Sequence, residues 1–137
     1  MYPVVDYRTL VRDTWRSLHA VTKALPSGAF PVQLRHLIDI RVSQINHCQF
    51  CLNLHRTEAE RDGDTPERLD AIAGWRDSSL FTPAERSALA WAELLTQSGA
   101  DGWALDGAIT DMAGHFDEET ICRITFAVGV INAWNRV

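Results

Sequence analysis

This sequence predicts an all-α, compact multi-helix fold, and three observations carry that prediction. Apolar residues recur at spacings of three and four along nearly the whole chain. No segment shows the sustained alternation of a strand, and the glycines and prolines fall at short breaks between periodic segments. The 137 residues suit one domain spanning 1–137, and an apolar share of 46% is enough for a single packed core.

Taken in order, Tyr7, Leu10, Val11, Leu18 and Val21 mark one face of a first helix, which Leu25-Pro26-Ser27-Gly28 brings to an end. A second stripe, Leu34, Leu37, Ile38, Val42 and Ile45, runs up to Asn46. Asn46 reads as the N-cap of a third helix, with Gln49 three residues later reaching back as in a capping box. That helix runs to about Asp62 and Gly63 stops it; Thr65-Pro66 then opens a short helix with proline in its first position. The clearest start signal is Thr82-Pro83-Ala84-Glu85, followed by the face Ala88, Leu89, Ala92, Leu95 and Thr96. A final helix begins near Asp117, with Glu118 and Glu119 complementing the dipole, and continues through Ile121, Ile124, Val128 and Ile131.

Thirteen basic against eighteen acidic residues give a formal charge of −5 with no basic cluster, which disfavours a nucleic-acid partner. No apolar run approaches the roughly 20 residues of a membrane span, and Met1-Tyr2-Pro3-Val4 lacks a basic region followed by an apolar stretch. A soluble, cytoplasmic protein is therefore expected. Three cysteines, only two of them close together, do not make a secreted disulfide framework, so their use is chemical rather than structural. Such a helical chain, rich in tryptophan and ending on Ile131-Asn132-Ala133-Trp134, has more apolar face than one small core needs, which points to self-association.

With Asn46 as cap, Cys48 falls in the first turn, Cys51 one turn further and His55 four residues beyond, all on one stripe. A thiol near a helix N-terminus is favoured as thiolate, and an imidazole one turn on can accept or return its proton. Two cysteines three apart can also close a disulfide, so a sulfenic acid formed on one is resolved by the other and an external dithiol resets the pair. The motif is shared with zinc sites and thioredoxin-like proteins. A zinc site would need a fourth ligand from His47, His36, His115 or Cys122, and structural zinc usually joins separate ligand pairs, so neither metal nor cofactor is expected. Coincidental, inert cysteines are the remaining reading. Cys122, inside an apolar helix, reads as a small core residue. His47 reads as solvated, His19 and His115 as surface or satisfied polar residues, and the five tryptophans as core or subunit contacts.

The run Arg41-Val42-Ser43-Gln44-Ile45-Asn46-His47-Cys48-Gln49-Phe50-Cys51-Leu52-Asn53-Leu54-His55 resembles the AhpD-like alkylhydroperoxidase core of the carboxymuconolactone decarboxylase family. The likeness extends through residues 68–76 and 81–93 and ends at 131–136. It implies an oligomeric, all-helical fold and an antioxidant peroxidase in which Cys51 becomes the sulfenic acid and Cys48 donates a proton and resolves. The helix-dipole argument favours Cys48 as the lower-pKa thiol; the one-turn spacing of His55 from Cys51 favours Cys51 as the attacking sulfur. The implied partners are a hydroperoxide substrate and a thiol or dithiol reductant, such as a thioredoxin-like or lipoyl protein. One departure stands out: His36 occupies the position, twelve residues before the first cysteine, where the family relay usually has glutamate. Asp39, one turn along, is a substitute carboxylate, with the solvated-charge reading preferred. A lactone decarboxylase acting on a muconolactone-type acid ranks second, because decarboxylation has no need of a cysteine pair.

Overall fold

A computed structural model describes residues 5–27, 30–97 and 99–137. Helix α1 (Tyr7–Leu10) is capped by Asp6 and is followed at once by α2 (Arg12–Ala24). The single first helix expected from the sequence is therefore broken at Val11, whose φ of −129° and ψ of 55° are not helical. Its expected core face is also not buried: Tyr7, Leu10, Val11 and Val21 are exposed and only Leu18 is partly covered. The break after Leu25 is present, although Gly28 lies outside the described residues, as does Met1-Tyr2-Pro3-Val4.

Helix α3 (Val32–Ile45) is the centre of the molecule. Leu34, Leu37, Ile38, Ile40 and Val42 are all buried, so the helix is covered around its circumference, and His36, Asp39 and Ser43 are buried with them. Helices α4 (Gln49–Arg61), α6 (Pro83–Thr96) and α8 (Glu118–Trp134) pack against it. Between α4 and α6 lie α5 (Pro66–Asp70), capped by Thr65, and a 3₁₀ segment, Ile72–Asp77. Gly63, at φ +103°, stops α4 as expected, since a left-handed residue is adopted most cheaply by glycine. The capping box at Thr82 and Glu85 forms, and Asp117 caps α8.

Helix α7 (Gly102–Ala113), capped by Asp101, was not among the helices expected from the sequence, although Leu105, Ala108 and Met112 stand at helical spacing and pack against the core. A buried carboxylate ties the central layer together. Glu93 on α6 accepts from Arg41 on α3 at 2.7 Å and from Trp75 Nε1 at 2.9 Å, and it pairs with Arg76. Burial alone would raise the Glu93 pKa, and these three partners outweigh it, holding the carboxyl below its usual range. Among the described residues no helix is long and apolar enough to cross a membrane.

Candidate active site

The turn between α3 and α4 sets the site. Cys48 N–H bonds Ser43 O at 3.1 Å and His47 N–H bonds Gln44 O at 3.3 Å, a pair of bonds that closes α3 in a Schellman turn. His47 occupies the left-handed position of that turn, at φ +54°. The next residue already begins α4: Cys48 is its N-cap, and its sulfur accepts the N–H of Cys51 at 3.4 Å. The cap expected at Asn46 is thus two residues too early. Asn46 ends α3 instead, and its amide donates to Asn132 Oδ1 at 2.9 Å and Asn135 Oδ1 at 3.0 Å on and just beyond α8. Asn135 in turn donates to Ser43 at 2.9 Å, so the end of α8 clamps the turn that carries the cysteines.

Cys48 and Cys51 are joined as a disulfide, with their Cα atoms 5.3 Å apart. Cys48 is half-buried and Cys51 is 6% exposed. His55, one turn beyond Cys51, is 7% exposed. Its Nδ1 lies 3.0 Å from Glu58 Oε2 and 3.6 Å from Asp39 Oδ2. The hydrogen bond from His55 holds the Glu58 carboxyl below its usual range, so Glu58 is ionised near neutral pH. A carboxylate only accepts, so Nδ1 carries the hydrogen, and a neutral His55 has its lone pair on Nε2.

Asp39 is 2% exposed, which overturns its reading as a solvated charge. Burial pushes its pKa up, against the opposing pull of His55, Arg35 and His36. Arg35 Nε reaches Asp39 Oδ2 at 3.0 Å, off the direction of a good hydrogen bond, which leaves that oxygen without a bonded partner. His36 is buried too, but it is turned to another task. Its Nε2 donates to Asp62 Oδ2 at 2.7 Å and fastens α3 to the end of α4, and Nδ1 is without a partner. Asp39 and Glu58, not His36, are the acidic groups beside His55. Glu58 was missed from the sequence, although its spacing of three from His55 on one helix was the available signal.

Cys48, Cys51, His55, Asp39, Glu58 and Arg35 share the wall of a cavity of about 950 Å³; His36 is not in its lining. Helix α2 closes the far side. Trp134 Nε1 donates to Thr22 at 2.9 Å, and Trp15 packs edge-on against Trp134 with ring centroids 5.9 Å apart. Leu54, Ile131 and Val130 complete a largely apolar wall. Other residues fall elsewhere. Cys122, expected in the core, is exposed and free on α8, because the buried stripe of that helix runs through Ile121, Ile124 and Val128. Trp75 and Trp91 are buried, whereas Trp103 is exposed. His47 is exposed, as expected.

The chain is 33% identical over 133 residues to the uncharacterized protein YdfG of Bacillus subtilis (strain 168), covering 97% of this chain and 90% of that one. It is 35% identical over 101 residues to the uncharacterized protein YnjA of Escherichia coli (strain K12), covering 72% of this chain and 53% of that protein. A crystal structure of a protein of unknown function from Agrobacterium tumefaciens, provisionally described as the antioxidant defence protein AhpD, superposes with a TM-score of 0.88. That match has 32% identity and covers 96% of this chain and 90% of that one. The family model for carboxymuconolactone decarboxylases matches residues 10–94, which include the cysteine pair, His55, Asp39 and Glu58, and the chain belongs to the carboxymuconolactone decarboxylase family.

Proposed function

We propose that this chain is a thiol-dependent hydroperoxide reductase that cycles Cys48 and Cys51 between dithiol and disulfide. The observation that carries this reading is the bonded cysteine pair at the start of α4, in an apolar cavity wall beside a histidine whose Nδ1 is held by the Glu58 carboxylate. In the reduced protein, His55 Nε2 takes the Cys51 proton and the thiolate attacks the peroxide oxygen. The O–O bond breaks, the alcohol leaves with a proton returned through His55, and Cys51 holds a sulfenic acid. Cys48, whose thiolate is supported by the Cys51 N–H and the helix N-terminus, then attacks the Cys51 sulfur. Water leaves, the disulfide forms, and an external dithiol returns two electrons and two protons. Cys48, the more exposed residue of the pair, receives that reductant, so Cys51 is released as thiolate beside His55.

Glu58 and Asp39 orient His55 and offset the positive charge it gains in the first step. The same reading has the chain working as a homo-oligomer, with the exposed apolar residues of α1 and α2 against another copy. Peroxide consumption with dithiothreitol as donor, compared between the parent and Cys51→Ser, tests the assignment. The variant is expected to lose turnover, and equal rates would sink it.

A further inference from the structure

Arg35 lines the cavity beside the cysteine pair. Its side chain is 16% exposed, yet among the described residues its one polar contact is Nε against Asp39. The two terminal nitrogens, carrying four of the five guanidinium hydrogens, have no acceptor there, although the residue lines the same cavity as the cysteines. Those nitrogens are not sealed off but open to the cavity, so the fork is free to take the planar, two-oxygen partner that guanidinium matches best. Asp39 meets Arg35 only at Nε, from a direction that makes no hydrogen bond, and leaves the terminal fork untouched. The wider charge pattern agrees. The chain as a whole is acidic, at −5, but the lining balances Arg8, Arg35 and Arg136 against Asp6, Asp39 and Glu58. Arg8 and Arg136 form no ion pair among the described residues: Arg8 lies over the Trp15 ring, and Arg136 donates to Asn132 and Asn46. The rest of the wall, with Trp15, Leu54, Ile131 and Trp134, is apolar.

We infer that the cavity takes an apolar carboxylate, with Arg35 as the group that binds its head. Resting on the peroxidase reading, this makes the substrate a hydroperoxide that also carries a carboxylate, whose apolar body lies along the tryptophan-lined wall. Arg35 here is a specificity group: it holds the acid and leaves the proton traffic to His55.

Binding can be measured without turnover. Calorimetric titration with octanoate, 1-octanol and acetate separates head group from chain. Octanoate is expected to bind about tenfold more tightly than 1-octanol, the scale of one charge-assisted contact, and acetate far more weakly than octanoate. Arg35→Met should bring octanoate down to the affinity of 1-octanol and leave the alcohol unchanged, while Arg35→Lys, which keeps the charge beside Asp39, should retain part of the preference. Equal affinity of acid and alcohol in the parent, or a full preference surviving in a folded Arg35→Met, overturns the inference. Should Arg35→Met not fold, loss of the whole preference in Arg8→Gln or Arg136→Gln with octanoate would overturn the choice of Arg35. If octanoate is preferred while no hydroperoxide is consumed, the peroxidase reading fails and the carboxylate site stands.

Discussion

Removing Glu58 tests how the histidine is held. In Glu58→Ala, His55 Nδ1 loses its acceptor at 3.0 Å and retains only Asp39, at 3.6 Å, beyond a good hydrogen bond. A hydrogen bond to a charged partner contributes about 1.5–3 kcal/mol. The Glu58 side chain is 29% exposed, so the lower end applies, about 1.5 kcal/mol. Since about 1.4 kcal/mol is a factor of ten in rate, oxidation of the reduced protein by hydroperoxide should slow about tenfold. Asp39→Asn combined with Glu58→Ala removes both carboxylates and should bring the rate down to that of His55→Ala. Rapid mixing of the reduced protein with cumene hydroperoxide, quenched and titrated for remaining thiol, gives the rate constant directly. A Glu58→Ala rate within twofold of the parent would refute the orienting role. So would a double variant that stays well above His55→Ala.

Other expectations follow from the same geometry. His47→Gly should stabilise the fold by about 1 kcal/mol in urea denaturation, since glycine accepts the left-handed turn and the exposed imidazole forfeits little; Gly63→Ala, at φ +103° with open space around it, should cost about the same. Glu93→Gln should cost about 3 kcal/mol at pH 7, because it leaves Arg41 and Arg76 beside a neutral amide. The folded Glu93 pKa is depressed, so its contribution is complete above the unfolded value near 4.5 and is lost as pH falls below it. Denaturation at pH 7, 5 and 3.5 should show a gap between parent and variant that narrows only at the lowest pH. Maleimide should label Cys122 in the native protein at once, and Cys48 and Cys51 only after reduction. Light scattering on a size-exclusion column should give a mass above one chain; a monomer alone contradicts self-association through α1 and α2.

The parts of this fold that were legible in the sequence are those decided by local chemistry. Thr82 with Glu85, Thr65 before Pro66, Asp117 before two glutamates and Gly63 after α4 each satisfy orphan backbone groups with neighbours in the chain, and all four act as read. Asn46 was misread for the opposite reason. It has a high cap preference, but Asn132 and Asn135 draw its amide across to α8, and the poorer capping group, the Cys48 sulfur, takes the position. A network spanning almost ninety residues leaves no local signal. The cysteine pair and His55 were visible because one helix holds all three. The carboxylates at His55 were harder to see: Asp39 lies on a helix covered around its circumference, where burial, not spacing, distinguishes it from a surface charge. His36 looked like a relay residue by position alone, and its bond to Asp62 depends on how α3 meets the end of α4. The exposure of Cys122 and of the α1–α2 face likewise depends on which faces the helices turn toward one another.

Mass spectrometry of the reduced protein after one equivalent of hydroperoxide reads the state of both cysteines directly. One alcohol should form, the Cys48–Cys51 peptide should become lighter by two hydrogens, and Cys48→Ser should carry a dimedone-reactive sulfenic acid on Cys51. A parent protein that keeps both thiols while the peroxide survives would contradict the proposed peroxidase chemistry.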